Sequence, residues 1–268
     1  MDQDVTSVGT PPSDPTAPVL YEQIGQVARI TYNRPERRNA WGVEAVLATI
    51  DAIRRANEDA GIGAIVLTGR GAVFCAGADL KEEARHDPET GRRLSPASFT
   101  MGAGDRNWIT LLAGSKPVIA ALNGPAIGIG ATHILAADFR IAAQSASLSF
   151  PFLQLGAMPE CGSSALLPRL VGSGRATDIL LRGASVSADE ALRIGLVTAV
   201  HPDEEMQDAA LALAGSLAAL PPLQVRLSKQ MLLANAVEGD ADRIMRNESD
   251  AFVELLRTLK RDRALRAE

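Results

Sequence analysis

The chain lacks the residue spacings that would tie it to a metal or to disulfides. Its two cysteines, Cys75 and Cys161, form no C-x-x-C pair, and His86, His133 and His201 are scattered along 268 residues. Zinc-binding spacing and a disulfide framework are both missing, so no metal is expected and the thiols read as structural residues of a reducing compartment. No apolar run reaches the ~20 residues of a membrane span. No basic stretch followed by an apolar one opens the sequence. A cytoplasmic protein with no membrane partner is therefore expected. The net charge of −5 removes the whole-chain basic footprint of a nucleic-acid binder. There is no phosphate loop of the G-x-x-x-x-G-K-[ST] type and no G-x-S-x-G elbow. Gly128-Ile-Gly130 is followed by His133 where a dinucleotide fingerprint needs its third glycine. No internal repeat recurs at a fixed period.

What is present is an ordinary globular composition, 46% hydrophobic and 22% charged. Residues 1–18 carry Pro11, Pro12, Pro15 and Pro18 among Ser, Thr and Asp, which predicts a disordered tail. Short β-prone runs at 19–23 and 27–32, split by Gly25, predict a hairpin. Val43, Val46, Leu47, Ile50 and Ile53 have helical spacing. Continuous apolar runs at 64–68 and 117–122 predict buried strands, with a third strand at 139–142 and a short one at 147–150. Between them lie a polar loop over 81–98, a helix containing 108–113, a glycine-rich turn at 124–130 and a helix over 131–137. Ser187 and Glu190 form a capping box for a helix over 188–194, closed by Gly195. Amphipathic helices are expected over 225–237 and 241–259. The reading is an α/β core over 19–200 followed by a helical region over 201–268.

Two turns can carry chemistry. In the first, Ala76-Gly77-Ala78 offers backbone N–H groups without bulky side chains, and Asp79 is placed to cap a following helix. The second, ending at Gly128-Ile129-Gly130, leads into a helix start with unpaired N–H donors. If both face one cleft, two N–H groups can hold one oxyanion, each donor contributing ~3 to 4 kcal/mol to a transition state. The alternative is that both are tight connections and nothing more.

Several segments in order carry a resemblance: Asn33-Arg-Pro-Glu-Arg-Arg-Asn-Ala40, Gly63-Ala-Ile-Val-Leu-Thr-Gly69, Phe74-Cys-Ala-Gly-Ala-Asp-Leu80 and Lys116-Pro-Val-Ile-Ala-Ala-Leu-Asn-Gly124. They continue with Ala137-Asp-Phe-Arg-Ile-Ala142 and Pro168-Arg-Leu-Val-Gly172. From Val19 to the C-terminal helices the chain resembles the crotonase superfamily, the enoyl-CoA hydratase/isomerase family. That resemblance implies an α/β fold, the ClpP-like ββα spiral, with a helical C-terminal trimerisation region and a homotrimer or hexamer. It implies an acyl-CoA thioester as substrate, coenzyme A entering as part of that substrate and no separate cofactor. It places the oxyanion hole at the N–H groups of Ala78 and Ile129. Isoleucine replaces a usual glycine there, so its side chain must point away from the thioester. Contacts to the CoA thioester are implied for Ala76, Gly77, Asp79, Leu80, Arg34, Gly128 and Phe152.

One departure bears on mechanism. Family hydratases use two glutamates, and the corresponding positions here hold Thr132 and Phe152. The remaining acid is Glu160, in Pro159-Glu160-Cys-Gly-Ser-Ser164, which resembles the branch of peroxisomal-type Δ3,Δ2-enoyl-CoA isomerases, where this glutamate is the base. One carboxylate can take a proton from C2 and return it at C4. Phe150, Phe152, Leu155 and Met158 are expected to supply an apolar setting that raises its pKa. Three readings stay open: an isomerase, a hydratase using Glu160 without the usual pair, and a non-catalytic acyl-CoA-binding or scaffold protein; for Glu160 itself the alternative is that it only caps the helix near Ser163. Glu82 and Glu83 read as surface charges. A ClpP-like peptidase lacks a Ser/His/Asp arrangement, and His133 reads as a helix residue.

Overall fold

Strands β1 (Val19–Ile24) and β2 (Val27–Tyr32) form the expected antiparallel hairpin about Gly25. The computed structural model describes residues 14–81, 85–86, 93–94 and 107–265. A six-stranded sheet continues from the hairpin through β3 (Ala64–Gly69), β6 (Val118–Leu122), β8 (Phe139–Ala143) and β11 (Ala199–His201), all parallel after β1. Every residue of β3 and β6 is buried, which requires cover on both faces of the sheet. Each large aliphatic side chain so buried stabilises the fold by ~1.5–3 kcal/mol.

Part of that cover is the helix Val43–Glu58, which buries Val43, Val46, Ile50 and Ile53 at helical spacing and packs on the hairpin. Leu47, placed on the same face by sequence, is 40% exposed. The helix Met206–Ala218 lies across β2, β3, β6 and β8 with Ala210, Ala214 and Ala218 inward. Small residues at i, i+4 and i+8 let it approach closely. A second sheet has the order β10 (Ser185–Ser187), β9 (Ser147–Ser149), β7 (Ala126–Ile127). A third is a two-stranded pair, β4 (Arg85–His86) with β5 (Arg93–Leu94).

The other helices are Trp108–Gly114, Ile129–Thr132 with a 3-10 turn His133–Ala136, Ser163–Val171, Ser173–Arg182, Ala188–Arg193, Pro222–Asn235 and Ala241–Leu265. Ser187 Oγ accepts the Glu190 N–H at 3.3 Å as the capping box predicts, but the Glu190 carboxylate turns to Arg193. Lys229 fastens Pro222–Asn235 to the core. Its ammonium bonds Asp138 at 2.6 Å and the carbonyls of Leu112, Ser115 and Lys116. Among the described residues no single helix is long and apolar enough to cross a membrane.

The tail boundary moves. Composition put residues 14–18 in a disordered segment, but Asn33 holds them: its side-chain amide donates to the carbonyls of Pro15 and Ala17, and its N–H to that of Pro18. Composition could not see this because the partner lies in another segment. Most of the polar loop over 81–98, with Glu82 and Glu83, lies outside the described residues.

Candidate functional site

β3 and β6 are parallel neighbours, so the turns that follow them leave the sheet at the same edge. The turns then pair with each other. Phe74 and Cys75 donate to the Pro125 carbonyl at 3.1 and 3.2 Å, and Ile127 donates back to Cys75 at 2.9 Å. Gly77 has φ +99°, and a Cβ there would sit 2.9 Å from the Ile127 carbonyl oxygen. Only glycine allows both that backbone conformation and that approach.

Peptide planarity then sets the direction of the two candidate amides. In a trans peptide the N–H points opposite to the preceding carbonyl. The Gly77 carbonyl accepts from Trp41 N–H at 2.8 Å, so the Ala78 N–H points away from Trp41. The Gly128 carbonyl accepts from Ala131 and Thr132 at 2.9 and 3.0 Å, so the Ile129 N–H points out of the helix start. Gly128, at φ 56° and ψ −123°, adopts a conformation closed to other residues and makes that start possible. Neither the Ala78 nor the Ile129 N–H has an acceptor among the described residues. The Ile129 side chain is buried in the core.

Glu160 sits at a sharp corner formed by two consecutive left-handed residues, Cys161 (φ 53°) and Gly162 (φ 75°). A non-glycine residue in that region is uncommon and strained. The corner leaves the carboxylate half-buried, and it takes part in no hydrogen bond or ion pair among the described residues. Burial alone raises its pKa above the ordinary carboxylate value. It does not cap the next helix. The N-cap of Ser163–Val171 is Gly162, with no side-chain cap, and Glu160 contributes only its backbone carbonyl, to Ser163 N–H. The apolar setting is smaller than expected: Phe150 and Phe152 are buried, but Leu155 and Met158 are exposed. Thr132 is fully buried, its hydroxyl 3.5 Å from the Ile129 carbonyl.

Residues 22–267 match the family model described as enoyl-CoA hydratase/isomerase. The chain belongs to the enoyl-CoA hydratase/isomerase family. It is 38% identical over 236 residues to the probable enoyl-CoA hydratase EchA12 of Mycobacterium tuberculosis, covering 86% of this chain and 82% of that one. It is also 38% identical over 210 residues to 1,2-epoxyphenylacetyl-CoA isomerase of Escherichia coli, covering 77% and 78%. Among solved structures, subunit I of an enoyl-CoA hydratase from Geobacillus kaustophilus superposes with a TM-score of 0.80 at 31% identity, covering 95% of both chains. The fold is thus the α/β crotonase fold with C-terminal helices, and the protein is an enzyme of the hydratase/isomerase class.

Within this family frame, the other sequence candidates divide. Arg34 does not present a free guanidinium. It bonds the Ala40 carbonyl at 2.9 Å and Asp79 at 2.8 Å, so its charge is already matched. Asp79 also accepts from Lys81 N–H at 3.1 Å and has Arg37 at 3.9 Å. That makes Asp79 a buried brace beside Ala78, and the helix it was expected to cap lies outside the described residues. Leu80 is 86% exposed beyond it. Ala76, partly buried, donates to the Arg38 carbonyl at 3.0 Å. Asn39, in the same family segment as Arg34, donates to the carbonyls of Arg70 and Val73. The segment from Asn33 to Ala40 therefore stitches the first turn to the hairpin.

Sequence reasoning missed what lies behind the turns. Tyr32, Trp41, Phe74, Trp108 and His133 form one buried aromatic cluster. The available signal was His133 standing four residues after Ile129, within reach of its carbonyl. The segments that complete the cluster are separated by up to 101 residues.

Proposed function

We propose that this enzyme moves the double bond of an enoyl-CoA from Δ3 to Δ2 through a thioester enolate. The amides of Ala78 and Ile129 hold the thioester oxygen, and Glu160 carries the proton from C2 to C4. The observation that carries this reading is the Glu160 carboxylate, half-buried and without a partner among the described residues, in a chain whose positions 132 and 152 hold buried Thr and Phe. One base on one face suffices for a 1,3-proton shift, because the same group that takes the proton returns it. Preorganised N–H donors stabilise the charge between the two steps. A base of raised pKa suits both halves of that task.

The second reading is hydration of a 2-enoyl-CoA, with Glu160 activating water. The hydratase names among the relatives favour it. Supplying trans-3-hexenoyl-CoA and trans-2-hexenoyl-CoA separately, with product analysis by mass and ultraviolet absorbance, distinguishes the two. Conversion of the 3-enoyl to the 2-enoyl thioester is the expected outcome. Hydration of the 2-enoyl substrate with no migration from the 3-enoyl one would replace the isomerase by the hydratase. Binding of both without turnover would leave a non-catalytic acyl-CoA-binding protein.

A homotrimer or hexamer is part of the proposal. Leu232, Val237, Met245, Phe252 and Leu256 are exposed along the last two helices and the turn between them, and exposed large apolar side chains of this kind suit burial against another copy. Light scattering should return a mass of three or six chains.

A further inference from the structure

His133 is the centre of the buried aromatic cluster. Its ring lies 4.2 Å from that of Trp41, centroid to centroid, and 5.7–5.8 Å from Tyr32, Phe74 and Trp108. A polar ring in such a place is costly unless both nitrogens are satisfied, and here they are. Nδ1 is 2.7 Å from the Ile129 carbonyl oxygen, and Nε2 is 2.8 Å from the Tyr32 hydroxyl. A carbonyl can only accept, so Nδ1 carries the hydrogen. Nε2 is then bare and accepts the Tyr32 O–H. Burial also pushes the imidazole pKa down to about 3, so the ring is neutral.

A neutral, inaccessible histidine is not an acid or base for a substrate. What it holds is backbone. The peptide that carries the Ile129 N–H is fixed on its carbonyl side by the bonds of Gly128 to Ala131 and Thr132. The next peptide, carrying the Ile129 carbonyl, is fixed by His133 through its ring Nδ1 and its own N–H. Trp41, its ring packed at a tilt against the imidazole, donates through its backbone to the Gly77 carbonyl and accepts from Asp79 N–H, bracketing Ala78. One buried unit therefore contacts the backbone on either side of both amides.

We propose that His133, bonded to the Ile129 carbonyl and held by Tyr32 and Trp41, is a positioning residue that fixes the Ile129 amide relative to the Ala78 amide. The inference rests on the enolate-holding role proposed above. Its value lies in preorganisation, since donors already aimed need not reorient as charge develops.

Two readouts test it: turnover of trans-3-hexenoyl-CoA, and the infrared carbonyl band of bound [1-13C]butyryl-CoA, which falls in frequency when donors polarise the thioester. His133→Met keeps apolar bulk and loses the hydrogen bond. It should lower kcat by roughly 10- to 100-fold and reduce the band shift, with butyryl-CoA affinity within about threefold of wild type. In His133→Asn an amide nitrogen takes the place of Nδ1, and most of both signals should return. Tyr32→Phe, which removes one hydroxyl, should cost about three- to tenfold in kcat. Rescue no better in Asn than in Met, or parallel losses of affinity and kcat, would assign His133 to packing alone and overturn the proposal. Should His133→Met fail to fold, Tyr32→Phe decides, and wild-type kcat and band in that variant overturn it. A wild-type enzyme showing no band shift refutes the two-amide hole itself and this inference with it; that failure is recognisable because no variant is involved.

Discussion

The paired turns and the Glu160 corner are built on opposite principles. Around the turns nearly every polar group is spoken for: Asn39, Asp79, Trp41 and His133 each bind backbone, and aromatic packing closes the rear. The two outward N–H groups and the Trp41 indole N–H are left without partners among the described residues. At the corner the carboxylate of Glu160 has no partner and the Ser163 hydroxyl, fully buried, has none either among the described residues. The contrast suits two different tasks. Donors that stabilise a transient charge gain from being immobile, whereas a group that takes and returns a proton gains from having no competing partner.

Removing the free carboxylate should have the largest effect. Glu160→Gln is expected to lower kcat by about 10^3-fold while acyl-CoA affinity stays within about threefold of wild type, measured by turnover and calorimetry. The same substitution should raise stability at neutral pH. Burial raises the folded-state pKa of Glu160, so between the unfolded and folded values the native protein binds the proton more fully. Stability therefore falls as pH rises through that window, and the cost persists above it. Urea denaturation should show the Gln variant more stable at pH 7, with the gap closing below the ordinary carboxylate range. Wild-type activity should fall on acidification with a midpoint above 4.5, the ordinary value.

Damaging the rigid half ranks second. Gly77→Ala forces a side chain into a left-handed conformation and against the Ile127 carbonyl. It should cost about 1–3 kcal/mol of stability and, by splaying the turns, about 10^2-fold in kcat. A change remote from both regions provides the control. Lys229→Met removes the cation from Asp138, which keeps only the Val118 N–H among the described residues, and a donor from three carbonyls; it should cost about 2–3 kcal/mol, with kcat of the folded enzyme unchanged. The smallest effect is expected of Ser163→Ala. Deleting a buried hydroxyl without a partner should leave stability equal or raise it by about 1 kcal/mol, read by thermal unfolding. A large loss there would show that the Ser163 hydroxyl has a partner outside the described residues.

Much of this was legible before any coordinates. The hairpin about Gly25, the buried strands β3, β6 and β8 and the two small-residue turns are local patterns, and the family resemblance marked Thr132 and Phe152 as standing where family hydratases have glutamates. The exposure of Leu155 and Met158 was not legible, because an apolar residue in a loop has no periodicity to say which way it faces. Nor was the engagement of Arg34, since its partner Asp79 stands 45 residues away.

The amino-acid order by itself marked the hairpin and the buried strands β3, β6 and β8, which turns can expose backbone amides, and, through the family resemblance, Glu160 as the candidate acid. The strands and turns depend on neighbours a few residues apart, where sterics and burial act along the chain. Only the tertiary structure decided that, among the described residues, the two amides lack acceptors and half-buried Glu160 lacks a partner, and that a histidine buried among four aromatic rings clamps the Ile129 carbonyl. Each of those depends on which distant segment fills the adjacent space, and that is fixed by packing the whole core rather than by any local preference.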